Sequence, residues 1–170
     1  MIPRSFRMFV LLLALVAAVT PLPAAGDRPL PVSEDQVVKE MEALIDASAP
    51  KDKDREQAHA FVTKGVKAFD AHDFEKAIGW YRKALELDPL NATANYELAL
   101  TYSSNGDQVK ALESIIRSLT VDPKSEMSYV LKGNILDNLG FPAEAKRTYQ
   151  ALLDVQPNSY QGLIEMGTCP

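Results

Sequence analysis

Apolar and polar residues along this 170-residue chain return in a fixed order at a fixed spacing. Pro89, Pro123 and Pro157 stand 34 positions apart, and the same interval joins Ala77 to Ala111 and Ala145, Tyr81 to Ile115 and Tyr149, and Gly65 to Ala99, Gly133 and Gly167. Self-similarity at such a period marks one supersecondary unit stacked on copies of itself, because a lone unit cannot bury its apolar face. Punctuation inside the unit indicates helices. Asn91, Ser125 and Ser159 each follow a repeat proline by two positions and precede a new apolar run, which suits an N-cap. Gly106 and Gly140 lie midway, where a left-handed residue ends one helix and admits the next, and His72 takes that place in the first copy. The pattern predicts an all-α fold of helix-turn-helix units over 58–91, 92–125 and 126–159, with 160–170 a partial fourth unit or a capping stub.

Two further apolar stretches lie outside the repeats. Ser33-Glu-Asp-Gln36 has the form of a capping box, and Val37, Met41, Leu44 and Ile45 follow on one face, so 27–57 should hold a linker and an amphipathic helix over 33–48. Packing over the first repeat is the plainest role for that helix. Folding into a groove, or docking a partner or a second copy, is the alternative. Lys51 to Glu56 is a mixed charge run that reads as a solvated connection. At the start of the chain, Arg4 and Arg7 precede an unbroken apolar run from Met8 to Val19, and Pro21 to Gly26 supplies helix breakers and small residues. Such a run spans only about 18 Å as a helix, against roughly 30 Å of hydrocarbon. Residues 1–26 therefore read as an export signal cleaved after Ala25 or Gly26, and an uncleaved anchor is the alternative.

Within a unit, two antiparallel helices approach closely only where neither presents bulk. Gly65, Ala99 and Gly133 are accordingly expected to face Ala77, Ala111 and Ala145. Tyr81, Leu85, Ile115, Ile116, Leu119, Tyr149 and Leu153 should then fill the space between units as core. At the far end a two-turn stub should leave Tyr149, Leu152 and Leu153 thinly covered, so this end is expected to dock on another chain or to continue in a longer array.

The period and residue types resemble the tetratricopeptide repeat family. With Ala58, Ala92 and Glu126 as first positions, the family's small eighth residue is Gly65, Ala99 and Gly133. Its twentieth is Ala77, Ala111 and Ala145, and its closing proline is Pro89, Pro123 and Pro157. The fourth position departs once, with Asn95 standing where the other copies have Phe61 and Tyr129. The resemblance implies a right-handed superhelical stack, an α-solenoid, whose first helices line a concave groove for a protein or peptide partner. Carried over position by position, it makes Val62, Val66, Phe69, Tyr96, Leu100, Met127, Val130, Leu131 and Asn134 the candidate partner-binding residues. His59, Thr63, Asp70, Thr93, Glu97, Ser103, Ser104, Asp137 and Asn138 complete the groove positions. Relatives that grip the C-terminal carboxylate of cytosolic chaperones use lysine, arginine and asparagine at places held here by Val62, Val66, Glu97, Met127 and Leu131. The mouth of the groove instead suits an apolar helix or extended segment.

Composition narrows the partner. With 18 basic against 23 acidic side chains the net charge is -5, and the basic face that a nucleic acid requires is missing. Cys169 is the single cysteine, so neither an internal disulfide nor a multi-cysteine metal site is in prospect. His59 and His72 fall on separate faces, and no metal or other cofactor is expected. Asn91-Ala-Thr93 matches a glycosylation acceptor, but a helix cap is the simpler explanation. The sequence thus points to a non-catalytic scaffold in the bacterial periplasm, touching a membrane only through an uncleaved signal and serving assembly of an envelope, secretion or cytochrome-maturation complex. Self-association through the 33–48 helix or the C-terminal end is one alternative; a fragment or regulatory arm of a longer protein is another.

Overall fold

The structure, a computed structural model, describes residues 29–47 and 50–168. Residues 1–26, expected to be an export signal, and Cys169 lie outside them. Among the described residues are eight helices and no strand: α1 Glu34–Ala47, α2 Asp52–Asp70, α3 Phe74–Leu87, α4 Ala92–Ser104, α5 Gln108–Val121, α6 Glu126–Asn138, α7 Pro142–Val155 and α8 Tyr160–Thr168. Helices α2 to α7 form three hairpins stacked in sequence, and α8 packs on α7 as the first helix of a fourth unit.

Local chemistry sets these boundaries. His72, Gly106 and Gly140 hold positive φ at 58°, 86° and 80°, reversing the chain inside each hairpin. Asn91, Ser125 and Ser159 act as N-caps, their side-chain oxygens accepting from Ala94 N at 2.9 Å, Ser128 N at 3.3 Å and Gly162 N at 2.9 Å. Helix α2 starts earlier than the repeat register suggests. The 51–56 charge run is helical, with Asp52 and Asp54 at the positive end of the helix dipole and Arg55 3.7 Å from Asp52.

The helix crossing brings in a partner that spacing did not name. A Cβ placed on Gly65 would come within 3.0 Å of three ring atoms of Tyr81, and one on Gly133 equally close to Tyr149. The nearest neighbours of these glycines are tyrosine rings, and Ala77, Ala99, Ala111 and Ala145 are all fully buried. The same 16-residue offset sets Ala99 against Ile115 in the middle unit. Glycine thus goes with tyrosine and alanine with isoleucine, so that bulk gained on one helix is given up on the other. Leu85, Leu119 and Leu153 are half-buried at the margin of this core.

Helix α1 also departs from its expected place, lying against α5 of the second unit and not over the first. Val37 and Met41 are buried there. Arg117 bridges to Glu40 at 2.9 Å and Lys132 to Glu34 at 2.8 Å. Gln36 N donates to Ser33 Oγ at 3.4 Å, but the Gln36 side chain bonds Glu40 instead of closing the capping box. At the other end α8 covers more than a stub was expected to: Tyr149 and Leu152 are fully buried and Leu153 half-buried.

Candidate functional site

Stacking geometry produces a concave face. The first helices α2, α4, α6 and α8 touch one another in series, whereas α3, α5 and α7 do not, so the stack curves towards its first helices. Because α1 lies on α5, it leaves this face uncovered.

Residues spaced by three and four along α4 and α6 meet across the inter-unit seam. Tyr96 and Leu100 come from α4, and Met127, Val130, Leu131 and Asn134 from α6; together with Glu126 and Gln161 they line a cleft of about 410 Å³. Six of the nine candidate residues are thus brought to one place. Met127, 64% exposed, stands at its mouth. Behind the cleft the Tyr149 hydroxyl donates to Asn134 Oδ1 at 2.8 Å, so the ring that fills the space over Gly133 also holds a groove amide. Gln161, the second position of the fourth unit, was absent from the candidates. Extending the repeat register by one more step would have found it.

The other three candidates lie elsewhere. Val62 is only 7% exposed and belongs to the core, a correction to its place in an open groove lining. Val66 is half-buried against the same core. Phe69 is half-buried with its ring 5.6 Å from that of Phe74. In the first unit these apolar side chains pack on the core and on Phe74.

A smaller hollow of about 150 Å³ shares Tyr96 and Met127 with the cleft and is lined also by Glu97 and Asp122. Burial raises the carboxyl pKa of Glu97 and the nearby Asp70 raises it further. Burial likewise raises Asp137, with Glu165 adding to it. Burial, then Glu97, pushes up the phenols of Tyr81 and Tyr96. Among the described residues no ion pair reaches Asp70, Glu97 or Asp137.

Comparison with known proteins agrees with this geometry. A family model described as TPR repeat matches residues 69–106, and one described as tetratricopeptide repeat matches 92–125 and 128–159. Together these cover just over half of the chain. The small glutamine-rich tetratricopeptide repeat-containing protein 2 of Mycosarcoma maydis is 31% identical over 110 residues, which are 65% of this chain and 31% of that protein. The first TPR of Spaghetti (RPAP3), solved bound to the HSP90 peptide SRMEEVD, has a similar fold, with a TM-score of 0.63 at 23% identity, covering 68% of this chain and 91% of that one. So has the Sgt2 TPR domain from Aspergillus fumigatus, at 0.63 and 24% identity over 71% and 79%. The chain spans less than a third of the length of the fungal relative.

Proposed function

The chain belongs to the tetratricopeptide repeat family, and from that premise we propose that it is a non-catalytic protein-interaction scaffold whose concave face takes an apolar helix or extended segment. The observation that carries this reading is the cleft between α4 and α6, where Tyr96, Leu100, Met127 and Val130 form an accessible apolar wall that no segment among the described residues occupies. Tyrosine and methionine suit such a wall, one offering rigid amphipathic area and the other an adaptable contact. Replacing Tyr96 and Leu100 together by alanine, with helicity checked by circular dichroism, should abolish capture of the partner by the immobilised chain. Capture that survives the double substitution refutes the groove.

We propose also that the scaffold acts after export to the bacterial envelope, in assembly of a secretion, envelope or cytochrome-maturation complex. Arg4, Arg7 and the apolar run from Met8 to Val19 support export. Among the described residues no helix is long and apolar enough to cross a membrane. Fusing the N-terminal segment to a phosphatase reporter active only outside the cytoplasm tests the proposal, and an inactive fusion made at normal levels would end it.

Self-association stands as a second reading because Tyr160, Leu163 and Ile164 on α8 are 77%, 55% and 39% exposed. Sedimentation velocity over a range of concentrations separates the two. An invariant monomer removes the second.

A further inference from the structure

The concave face carries charge of one sign. No lysine or arginine stands at any groove position of the three units, whereas Asp70, Glu97 and Asp137 do, and Glu165 takes the equivalent place on α8. Elsewhere in the fold several cations are paired with carboxylates or aromatic rings. Arg117 meets Glu40 and Glu113, Lys132 meets Glu34, and Lys64 and Lys83 lie 4.9 Å and 4.6 Å from the Trp80 ring centre. Glu97 is half-buried, burial raises the carboxyl pKa of both Glu97 and Asp137, and among the described residues no ion pair reaches either, so Glu97 above all is held at some cost to the free protein.

Resting on the groove reading above, we propose that the segment bound there is cationic as well as apolar: a helix or strand whose apolar residues enter the cleft while neighbouring lysine or arginine side chains reach Glu97 and Asp137. Glu97 lines the hollow that shares Tyr96 and Met127 with the cleft, so a cation close to an anchoring apolar residue falls beside it. Asp137 lies about one turn beyond the cleft residue Asn134 on α6. An acidic peptide such as the one bound to the RPAP3 domain would here bring like charge to like.

The test selects a random-peptide phage library on the full chain in low salt. The recovered pool should be rich in lysine and arginine among leucine, isoleucine and phenylalanine. Individual peptides from it should bind about two- to fivefold more weakly for each of Glu97→Gln and Asp137→Asn, and raised salt should erase that difference. The double substitution Tyr96→Ala with Leu100→Ala should abolish their binding. A neutral or acidic pool that is lost on the Tyr96/Leu100 substitutions overturns this inference and leaves the groove intact. A pool indifferent to those substitutions, or no pool at all, overturns both.

Discussion

Replacing Gly133 by alanine tests the packing rule on which the whole stack depends. The added Cβ would lie within 3.0 Å of Cε1, Cζ and Oη of Tyr149, whereas an ordinary contact is 3.4–4 Å. Either the ring retreats by roughly an ångström or α6 and α7 separate. Neither is easy, because Tyr149 is fully buried and its hydroxyl is tied to Asn134 Oδ1 at 2.8 Å. Overpacking of this kind costs about 1–3 kcal/mol, and alanine returns up to about 1 kcal/mol of helix propensity, leaving a net loss of about 1–2 kcal/mol. For a domain of this size that lowers Tm by roughly 3–10 °C. Tyr149→Ile alone should cost about 2 kcal/mol or more through the cavity and the lost hydrogen bond. Combined, the two substitutions recreate the Ala99 and Ile115 pair of the middle unit. The double variant should therefore be more stable than the sum of the single effects by about 1 kcal/mol or more. Urea unfolding followed by circular dichroism at each corner of the cycle measures this. A Gly133→Ala variant as stable as the parent, or strict additivity in the double variant, would refute the reasoning.

Three further outcomes follow from the geometry. Glu97 has a folded pKa above its ordinary 4.5, so the folded state holds its proton more tightly and stability at this site falls as pH rises through the window just above 4.5. Glu97→Gln should accordingly raise Tm at neutral pH, with the gain closing on acidification; a lower Tm at pH 7 would contradict the assigned strain. Met41 is fully buried under α1, and Met41→Ala should cost about 2 kcal/mol and release amide protection in 34–47 while α4 to α7 keep theirs. Arg117→Ala removes contacts to Glu40, Glu113 and the Met41 sulfur, and hydrogen exchange should show α1 loosened by about 1 kcal/mol or less, an effect that salt diminishes.

Much of this molecule was legible before any coordinate. The caps at Asn91, Ser125 and Ser159, the turn at His72 and the three hairpins rest on contacts spanning a few residues, and the 34-residue period repeats them with one register. Such contacts depend on side-chain chemistry alone. The resemblance to the tetratricopeptide repeat family also located the α4 and α6 wall, because its groove positions could be carried over in the register that the period fixed. Three matters were decided by tertiary structure. A tyrosine ring closes over each of Gly65 and Gly133, because what fills the space above a small residue is set by the neighbouring helix once the two have packed, and spacing alone names no ring. Val62 closes into the core, because burial depends on what packs around a position and not on its place in the register. Helix α1 passes the first hairpin to lie on α5, tied by groups as far apart in sequence as Glu34 and Lys132, 98 residues distant. A pattern read along the chain reports which face of α1 is apolar. Which of several apolar surfaces receives that face is settled by shape and charge, and these exist only once the hairpins have stacked.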